Sequence, residues 1–193
     1  MANLADVTYK IEGAPEDLGA ILQALEANDK RKNPLVKNGF SNMWLGCIIT
    51  ALGGNWEQWK CRGEVYDYRM EDEILIINQS CCWCEQEGFR KFLQEKFPSL
   101  TIHYREEECG CELYHCSSFE AFPERYFLDS DCDDPHYWET IEEAAEYIST
   151  LVGRKVDADV SALSKAIDNY TEEQENLGNE VFYSFHEFTE VDE

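Results

Sequence analysis

The sequence predicts an α+β protein, with a ferredoxin-like core over residues 1–108 and an acidic, α-rich extension over residues 109–193. The first observation is the order of apolar patterns, β, α, an extra helix, β, β, α, β, which is typical of a split βαβ core whose antiparallel sheet has helices on one face. The second is charge: residues 1–105 hold 15 acidic and 12 basic residues, whereas residues 106–193 hold 25 and 4. The third is a hydrophobic content of 44% in 193 residues, enough for a packed core.

The chain begins with a predicted strand and a predicted helix. Residues 7–13 alternate between apolar and polar side chains and end at a glycine, as a half-buried strand does. Pro15 then begins a helix with Glu16 and Asp17 in its first turn, where carboxylates are favourable. The apolar residues of this helix recur at helical spacing up to Leu25. This pair supplies the first β and α of the core.

A helical insertion is predicted over about residues 41–53. Ser41 is an acceptable N-cap, Trp44, Cys47 and Ile48 lie on one apolar face, and Gly53 with its neighbouring glycine ends the helix. The insertion lies between the first helix and the second strand of the core.

The rest of the core is a predicted hairpin, a helix and a strand. Residues 60–69 and 73–78 are strand-like and are joined by a short polar connection, which favours an antiparallel hairpin. Residues 74–77 are apolar without alternation, so we expect this strand to be central and covered on both faces. Residues 85–97 return to helical spacing, and residues 100–105 form the last strand.

The acidic extension is predicted to be folded. Residues 113–119 and 125–129 could form a further hairpin. Thr140 and Glu143 have the spacing of a capping box that begins a helix, and residues 159–170 form another amphipathic helix. The aromatic segment 181–188 has an ambiguous period and is interpreted as a strand.

Several short motifs resemble a known family. They include Arg62-Gly63-Glu64-Val65, Phe97-Pro98-Ser99-Leu100 and the turn Glu106-Glu107-Glu108 before Gly110. The chain resembles the YubB ferredoxin-like family over roughly residues 1–120, a family often carried by plasmids and phages. The resemblance implies a ferredoxin-like fold and a mobile-element setting, and it supplies no catalytic residues. The cysteines around Trp83 and the acidic extension depart from the family pattern.

Nine cysteines, seven of them between residues 81 and 132, leave two interpretations open. Cys81, Cys84, Cys109 and Cys111 could supply four thiolates to a structural zinc ion if the strands before the two motifs are neighbours. Alternatively, all nine are reduced thiols that pack as small apolar side chains. No other cofactor is predicted.

Other sites are excluded by their patterns. The acidic run Asp129, Asp131, Asp133 begins like a calcium loop, but the sixth position is Asp134 and the twelfth is Thr140, so an EF-hand is rejected. The sequence contains no zinc-protease helix, nucleophile elbow or phosphate loop. The net charge of −24 argues against direct nucleic-acid binding, and no apolar run is long enough for a membrane span. The chain is expected in the cytoplasm.

We therefore expect a non-enzymatic interaction protein that presents an acidic surface to a basic protein partner, with a DNA-mimic or anti-defence role as its most specific form. A zinc module and an enzyme with an unrecognised pocket stay open as alternatives. Seven carboxylates are predicted to form the interaction surface: Glu139, Glu142, Glu143, Glu146, Asp168, Glu172 and Glu173.

Overall fold

The structure is a computed structural model that describes residues 3–132 and 134–191. Its contacts divide the chain into two compact units, residues 1–113 and residues 114–193, whereas the sequence placed the boundary after residue 108. Over the described residues there are five α-helices and nine strands, so the α+β class is confirmed. No helix within these residues has the length and apolar character needed to cross a membrane.

The first unit contains a four-stranded antiparallel arrangement. Its elements are β1 Leu4–Glu12, α1 Pro15–Asp29, α2 Leu45–Ala51, β2 Gly63–Glu71, β3 Ile74–Cys82, α3 Glu87–Lys96 and β4 Thr101–Glu108. The strands lie in the order β2-β3-β1-β4, and each neighbouring pair is antiparallel. The two strands that begin and end the unit, β1 and β4, are therefore direct neighbours.

Alternation along β1 determines one face of the core. Val7, Tyr9 and Ile11 are fully buried, while the residues between them are half-buried or exposed. On β3, by contrast, the three consecutive residues Leu75, Ile76 and Ile77 are all buried. The prediction of a central strand covered on both faces is confirmed, because β3 lies between β2 and β1.

The hairpin between β2 and β3 is also confirmed, with a tighter turn than expected. Asp72 and Glu73 have positive φ angles of 48° and 69°, which is the conformation of a two-residue turn that matches strand twist. Glu71 pairs with Ile74 across this turn. β2 begins at Gly63 and runs to Glu71, whereas residues 60–69 were predicted; β3 begins at Ile74 and continues to Cys82, whereas residues 73–78 were predicted.

The insertion helix begins later than predicted, and Ser41 is not its N-cap. The Ser41 hydroxyl accepts the N–H of Met43 (3.2 Å) and donates to Glu64 (2.7 Å). Trp44 forms an antiparallel bridge with Glu64, and Val65 donates its N–H to Met43 (3.0 Å). Residues 42–43 form a turn and Trp44 bridges to β2, so α2 begins only at Leu45.

The second unit has a three-stranded sheet and two helices. Its elements are β5 Leu113–Cys116, β6 Tyr126–Ser130, β7 His136–Trp138, α4 Ile141–Leu151, α5 Val160–Asn176, β8 Tyr183–Glu187 and β9 Thr189–Glu190. β6 lies between β7 and β8 and is antiparallel to both, whereas β5 pairs in parallel with β9. The predicted hairpin between residues 113–119 and 125–129 is therefore wrong. Both edges of β6 are occupied by β7 and β8, so none is left for β5.

The helices of the second unit follow the sequence closely. The capping box at Thr140 and Glu143 is present and α4 begins at the next residue. α5 begins after Asp159 as predicted, but it continues six residues beyond Tyr170 through a segment rich in the helix formers Glu and Gln. The aromatic C-terminal segment is a strand, β8, as interpreted.

Candidate functional site

The candidate interaction surface is built on α4 and α5. On α4, Ala144, Ala145 and Ile148 are buried in the apolar core that the two helices share with β6 and β8. Helical geometry then places Glu142 and Glu146 on the opposite side of the helix. Glu142 and Glu146, one turn apart, are accordingly exposed.

The second helix repeats this arrangement. Leu163, Ala166 and Ile167 are buried in the same core. Asp159 begins the helix by accepting the N–H of Ala162 (3.0 Å). The carboxylates of the C-terminal half, Asp168, Glu172 and Glu173, remain exposed.

All seven residues predicted for the interaction surface are exposed in the structure. We call this set the acidic surface: Glu139, Glu142, Glu143, Glu146, Asp168, Glu172 and Glu173. The apolar sides of both helices are used inside the unit, so six of these carboxylates lie on the exposed sides of α4 and α5, and Glu139 lies just before α4.

Two of these carboxylates are placed unfavourably for helix stability. The C-terminal end of a helix carries partial negative charge, so anions there are destabilising. Glu172 and Glu173 lie near the C-terminal end of α5, and the last turn contains no basic residue. Glu172 also follows Asp168 by four residues, a repulsive spacing for like charges. Stability of the helix therefore does not account for this charge pattern.

Glu143 differs from the other members of the acidic surface because it already has a structural role. Its carboxylate accepts the N–H of Thr140 (3.2 Å) and the Thr140 hydroxyl (2.9 Å). In return, the Thr140 hydroxyl accepts the N–H of Glu143 (3.4 Å). Glu143 therefore has a capping role that the other members of the acidic surface do not share.

The four cysteines of the predicted zinc site lie in different environments. Cys81 is fully buried on β3, and burial raises the pKa of its thiol far above the ordinary value. Cys84, Cys109 and Cys111 are exposed. Throughout residues 3–132 and 134–191, no group of three or more His, Cys, Asp or Glu side chains has the arrangement of a metal site.

The strand order explains why these thiols are separated. The zinc hypothesis required the strands before Cys81 and Cys109 to be neighbours, but β1 lies between β3 and β4. Two strand spacings correspond to about 9.6 Å. Zinc at about 2.3 Å from each sulfur needs much closer thiolates. The described residues do not bring the four thiols together, and the zinc content of the protein tests the zinc interpretation of the cysteines.

The acidic turn after β6 has a structural use at one of its positions. The Asp131 carboxylate accepts the N–H of Phe182 (2.8 Å), which fixes the segment leading into β8. Asp133, the third acid of the run, lies outside the described residues. The bonded Asp131 is thus explained without a cation.

Sequence reasoning missed a buried polar network in the first unit. The Tyr9 hydroxyl donates to the Glu85 carboxylate, which also accepts from Arg90 Nε (3.1 Å). The backbone N–H of Glu85 donates to the Glu106 carboxylate (2.5 Å). Arg90 lies over the ring of Tyr104, 5.0 Å from its centroid. These groups connect β1, the start of α3 and β4 through the core.

Burial dominates the electrostatics of this network. It raises the pKa of Glu85, although the Tyr9 hydrogen bond and the Arg90 charge oppose the shift. Burial, with the charge of Glu85, also raises the pKa of Tyr9 well above its ordinary value. A buried ion pair with a hydrogen-bonded tyrosine can hold three elements in register. Its side chains are enclosed, so it offers no reactive group to a substrate.

A sequence signal for part of this network exists. Ile102 and Tyr104 are buried, and period-two alternation then places Glu106 and Glu108 on the same face. The predicted strand ended at residue 105, whereas β4 continues to Glu108. A predicted strand that continued through residues 106–108 would have placed the side chains of Glu106 and Glu108 in the core.

Comparison with known proteins adds little. No family model matches the chain, and no curated protein matches it. One solved structure, a crystal structure of an unknown protein from Galdieria sulphuraria, is 12% identical and covers 98% of this chain and 100% of its own, with a TM-score of 0.27. Similarity at this level supports no inference about fold or function.

Proposed function

We propose that this chain is a non-enzymatic interaction protein that binds a basic protein partner through the acidic surface. The observation that carries the proposal is the exposure of all seven carboxylates, six of them on helices whose apolar sides are buried in the core. A surface of one sign steers association with the opposite sign and gives it a strong salt dependence.

The charge distribution supports the same proposal. Residues 114–193 hold 21 acidic and 4 basic residues. Glu172 and Glu173 oppose the dipole of α5, so their placement has a cost in stability that a binding role would offset. In its most specific form, the partner is a nucleic-acid-binding protein and the acidic surface acts as a DNA mimic.

The resemblance to the YubB ferredoxin-like family gives this specific form its context. The order β1, α1, α2, β2, β3, α3, β4 with sheet order β2-β3-β1-β4 supports a ferredoxin-like first unit with one inserted helix. The acidic surface belongs to the part of the chain that the family pattern does not include. We infer that the second unit supplies the binding function.

The test is an affinity capture from lysate at low and high salt with three versions of the full chain. The first is the natural sequence. The second has four neutral substitutions in the acidic surface: E142Q, E146Q, D168N and E172Q. The matched control has four exposed carboxylates of the first unit neutralised: E12Q, D29N, E57Q and E95Q. Both variants therefore have the same net charge.

We expect a basic partner to bind the natural chain and the control at low salt, and to be lost at high salt and from the acidic-surface variant. Displacement of that partner by duplex DNA would support the mimic. Equal loss from both variants would assign the effect to net charge alone. Binding unaffected by salt, or no enriched basic protein, would contradict the proposal.

A further inference from the structure

A groove in the first unit lies on the side of the sheet opposite the Tyr9 face. Its volume is about 470 Å³, and its lining is mainly apolar. Leu4 of β1, Phe40, Trp44 and Cys82 of β3 contribute to the walls. Sites for small molecules fall in the same range of volume and combine apolar walls with a few polar groups. The groove therefore has the size of a small-molecule site.

An aromatic side chain is presented at this groove. The ring of Phe40 is stacked on Trp44 at a centroid distance of 5.3 Å, and Trp44 contacts Trp56 edge-on at 5.0 Å. Phe40 nevertheless remains 59% exposed. One side of its ring is supported by a rigid aromatic stack, while much of its surface is open to a second ring.

The groove also contains two opposite charges that do not neutralise each other. Arg62 and Glu64 both line it. Cys82 donates its N–H to the Arg62 carbonyl (2.8 Å), so the extended pairing of β2 continues to Arg62. Residues two apart in an extended strand project from the same face, about 6.6 Å apart.

Both charged groups have hydrogen-bonding capacity that no described residue satisfies. In the described part of the chain, the Arg62 guanidinium has no ion pair or hydrogen bond. Glu64 accepts the Ser41 hydroxyl at Oε2, and its Oε1 has no partner among residues 3–132 and 134–191. A free guanidinium is a bidentate partner for a carboxylate, and a free carboxylate oxygen accepts from an ammonium.

We propose that this groove binds a small zwitterion with an aromatic side chain, of which a free aromatic amino acid is the simplest example. The carboxylate of the ligand bonds Arg62, its ammonium bonds Glu64, and its ring packs on Phe40. A simple anion leaves Glu64 without a ligand partner, and a simple cation leaves Arg62 without one. A ligand with both charges and no net charge satisfies both groups. This site is independent of the acidic surface.

The test uses L-phenylalanine and two analogues with the full chain, measured by calorimetry or by ligand-observed NMR. 2-Phenylethylamine lacks the carboxylate, and 3-phenylpropionate lacks the ammonium. We expect saturable binding of L-phenylalanine with a dissociation constant of roughly 1 mM, given its size, and about 3- to 10-fold weaker binding of each analogue.

Variants assign the contacts. R62Q is expected to weaken L-phenylalanine about 3- to 10-fold and to leave 2-phenylethylamine unchanged. E64Q is expected to weaken L-phenylalanine and leave 3-phenylpropionate unchanged. F40A is expected to weaken all three ligands. R69Q is the matched control, because Arg69 is an exposed arginine of β2 outside the groove.

Several outcomes would overturn the proposal. The first is the absence of saturable L-phenylalanine binding at tens of millimolar. The second is equal binding of the three ligands, which would show that the two charges play no part. The third is an equal effect of R62Q and R69Q, which would indicate adventitious binding only. Circular dichroism of each variant checks that a lost signal does not come from unfolding.

Discussion

Substitution of Tyr9 by phenylalanine removes one hydroxyl from the buried network, which donates to the Glu85 carboxylate and, at 3.4 Å, to the Gln86 carbonyl. The ring is fully buried and stacks against Phe89 at 6.2 Å, and phenylalanine preserves this packing. Only the hydroxyl that donates to Glu85 is removed. Glu85 then remains buried with Arg90 as its main side-chain partner.

The expected loss of stability follows from the charge of the acceptor. A hydrogen bond to a charged group contributes about 1.5–3 kcal/mol, against about 1 kcal/mol for a neutral pair. No cavity term is added, because the substitution removes one oxygen atom. We therefore expect Tyr9→Phe to lower the free energy of unfolding of the first unit by about 2 kcal/mol.

Urea unfolding followed by tryptophan fluorescence is the appropriate assay. Four of the five tryptophans, Trp44, Trp56, Trp59 and Trp83, lie in the first unit, so the signal reports mainly on it. With a urea dependence of about 1–3 kcal/mol per molar, the midpoint should fall by roughly 1 M.

The loss should also depend on pH. Burial raises the pKa of Glu85 in the folded state, so its stabilising contribution is present below the unfolded-state pKa and declines as pH rises through the folded-state pKa. The Tyr9 hydroxyl favours the carboxylate, so its removal raises the folded pKa of Glu85 further. The effect of Tyr9→Phe is therefore largest near neutral pH and smaller in acid, where Glu85 is protonated in both proteins.

Tyr66→Phe provides the matched control. The Tyr66 hydroxyl also donates to a carboxylate, Asp6 (2.6 Å), but Tyr66 is 58% exposed. Solvent replaces such a bond, so the expected cost is below about 0.5 kcal/mol. Equal costs for the two substitutions, or a Tyr9→Phe cost that does not change between neutral and acidic pH, would refute the reasoning.

Four further predictions concern the second unit and the cysteines. E172Q with E173Q should raise the melting temperature of the second unit slightly, since each substitution removes a charge that opposes the α5 dipole, and a lower melting temperature would contradict the electrostatic account. Glu143→Ala should lower the free energy of unfolding by about 1 kcal/mol, because the capping box is lost. Ile148→Ala should lower the free energy of unfolding of the second unit by about 2–5 kcal/mol, because Ile148 is fully buried in the core that the helices share with the sheet, and thermal unfolding followed by circular dichroism measures it. Untagged protein should contain less than about half an equivalent of zinc by elemental analysis, because β1 separates the two cysteine motifs; a full equivalent that is lost in Cys84→Ser would show that the site assembles.

Local sequence patterns predicted the secondary structure well where neighbouring residues alone determine it. Thr140 and Glu143 determined the start of α4, and the uninterrupted apolar run from residues 74 to 77 identified the central strand. Partner choice between strands is different, because β5 and β6 have the alternation of a hairpin but pair with other strands. Long-range competition for the edges of β6 decided that pairing, and no local pattern encodes it.

The candidate sites divide in the same way. Exposure of the acidic surface followed from helical periodicity, since buried residues such as Ile148 and Ile167 fix the opposite side of each helix. Convergence of thiols depended on which strand lies beside which, and β1 between β3 and β4 could not be inferred from the cysteine spacing. The groove at Phe40 depends on a loop that is held along β2 by Trp44 and Glu64, a contact between residues far apart in sequence.

The distribution of charge over α5 is the feature that favours the proposed binding role over solubility alone. Acidic residues that serve only solubility can lie anywhere on the exposed side, and the first turns of helices are the favourable places for them. α4 follows this rule with Glu142 and Glu143 in its first turn. α5 follows it only at its N-cap, Asp159: its first turn contains no acid, and Glu172, Glu173 and Glu175 lie toward its C-terminal end. An arrangement that lowers helix stability without improving solubility is expected where the carboxylates are needed at that position, so the proposed partner contact is expected on the C-terminal half of α5.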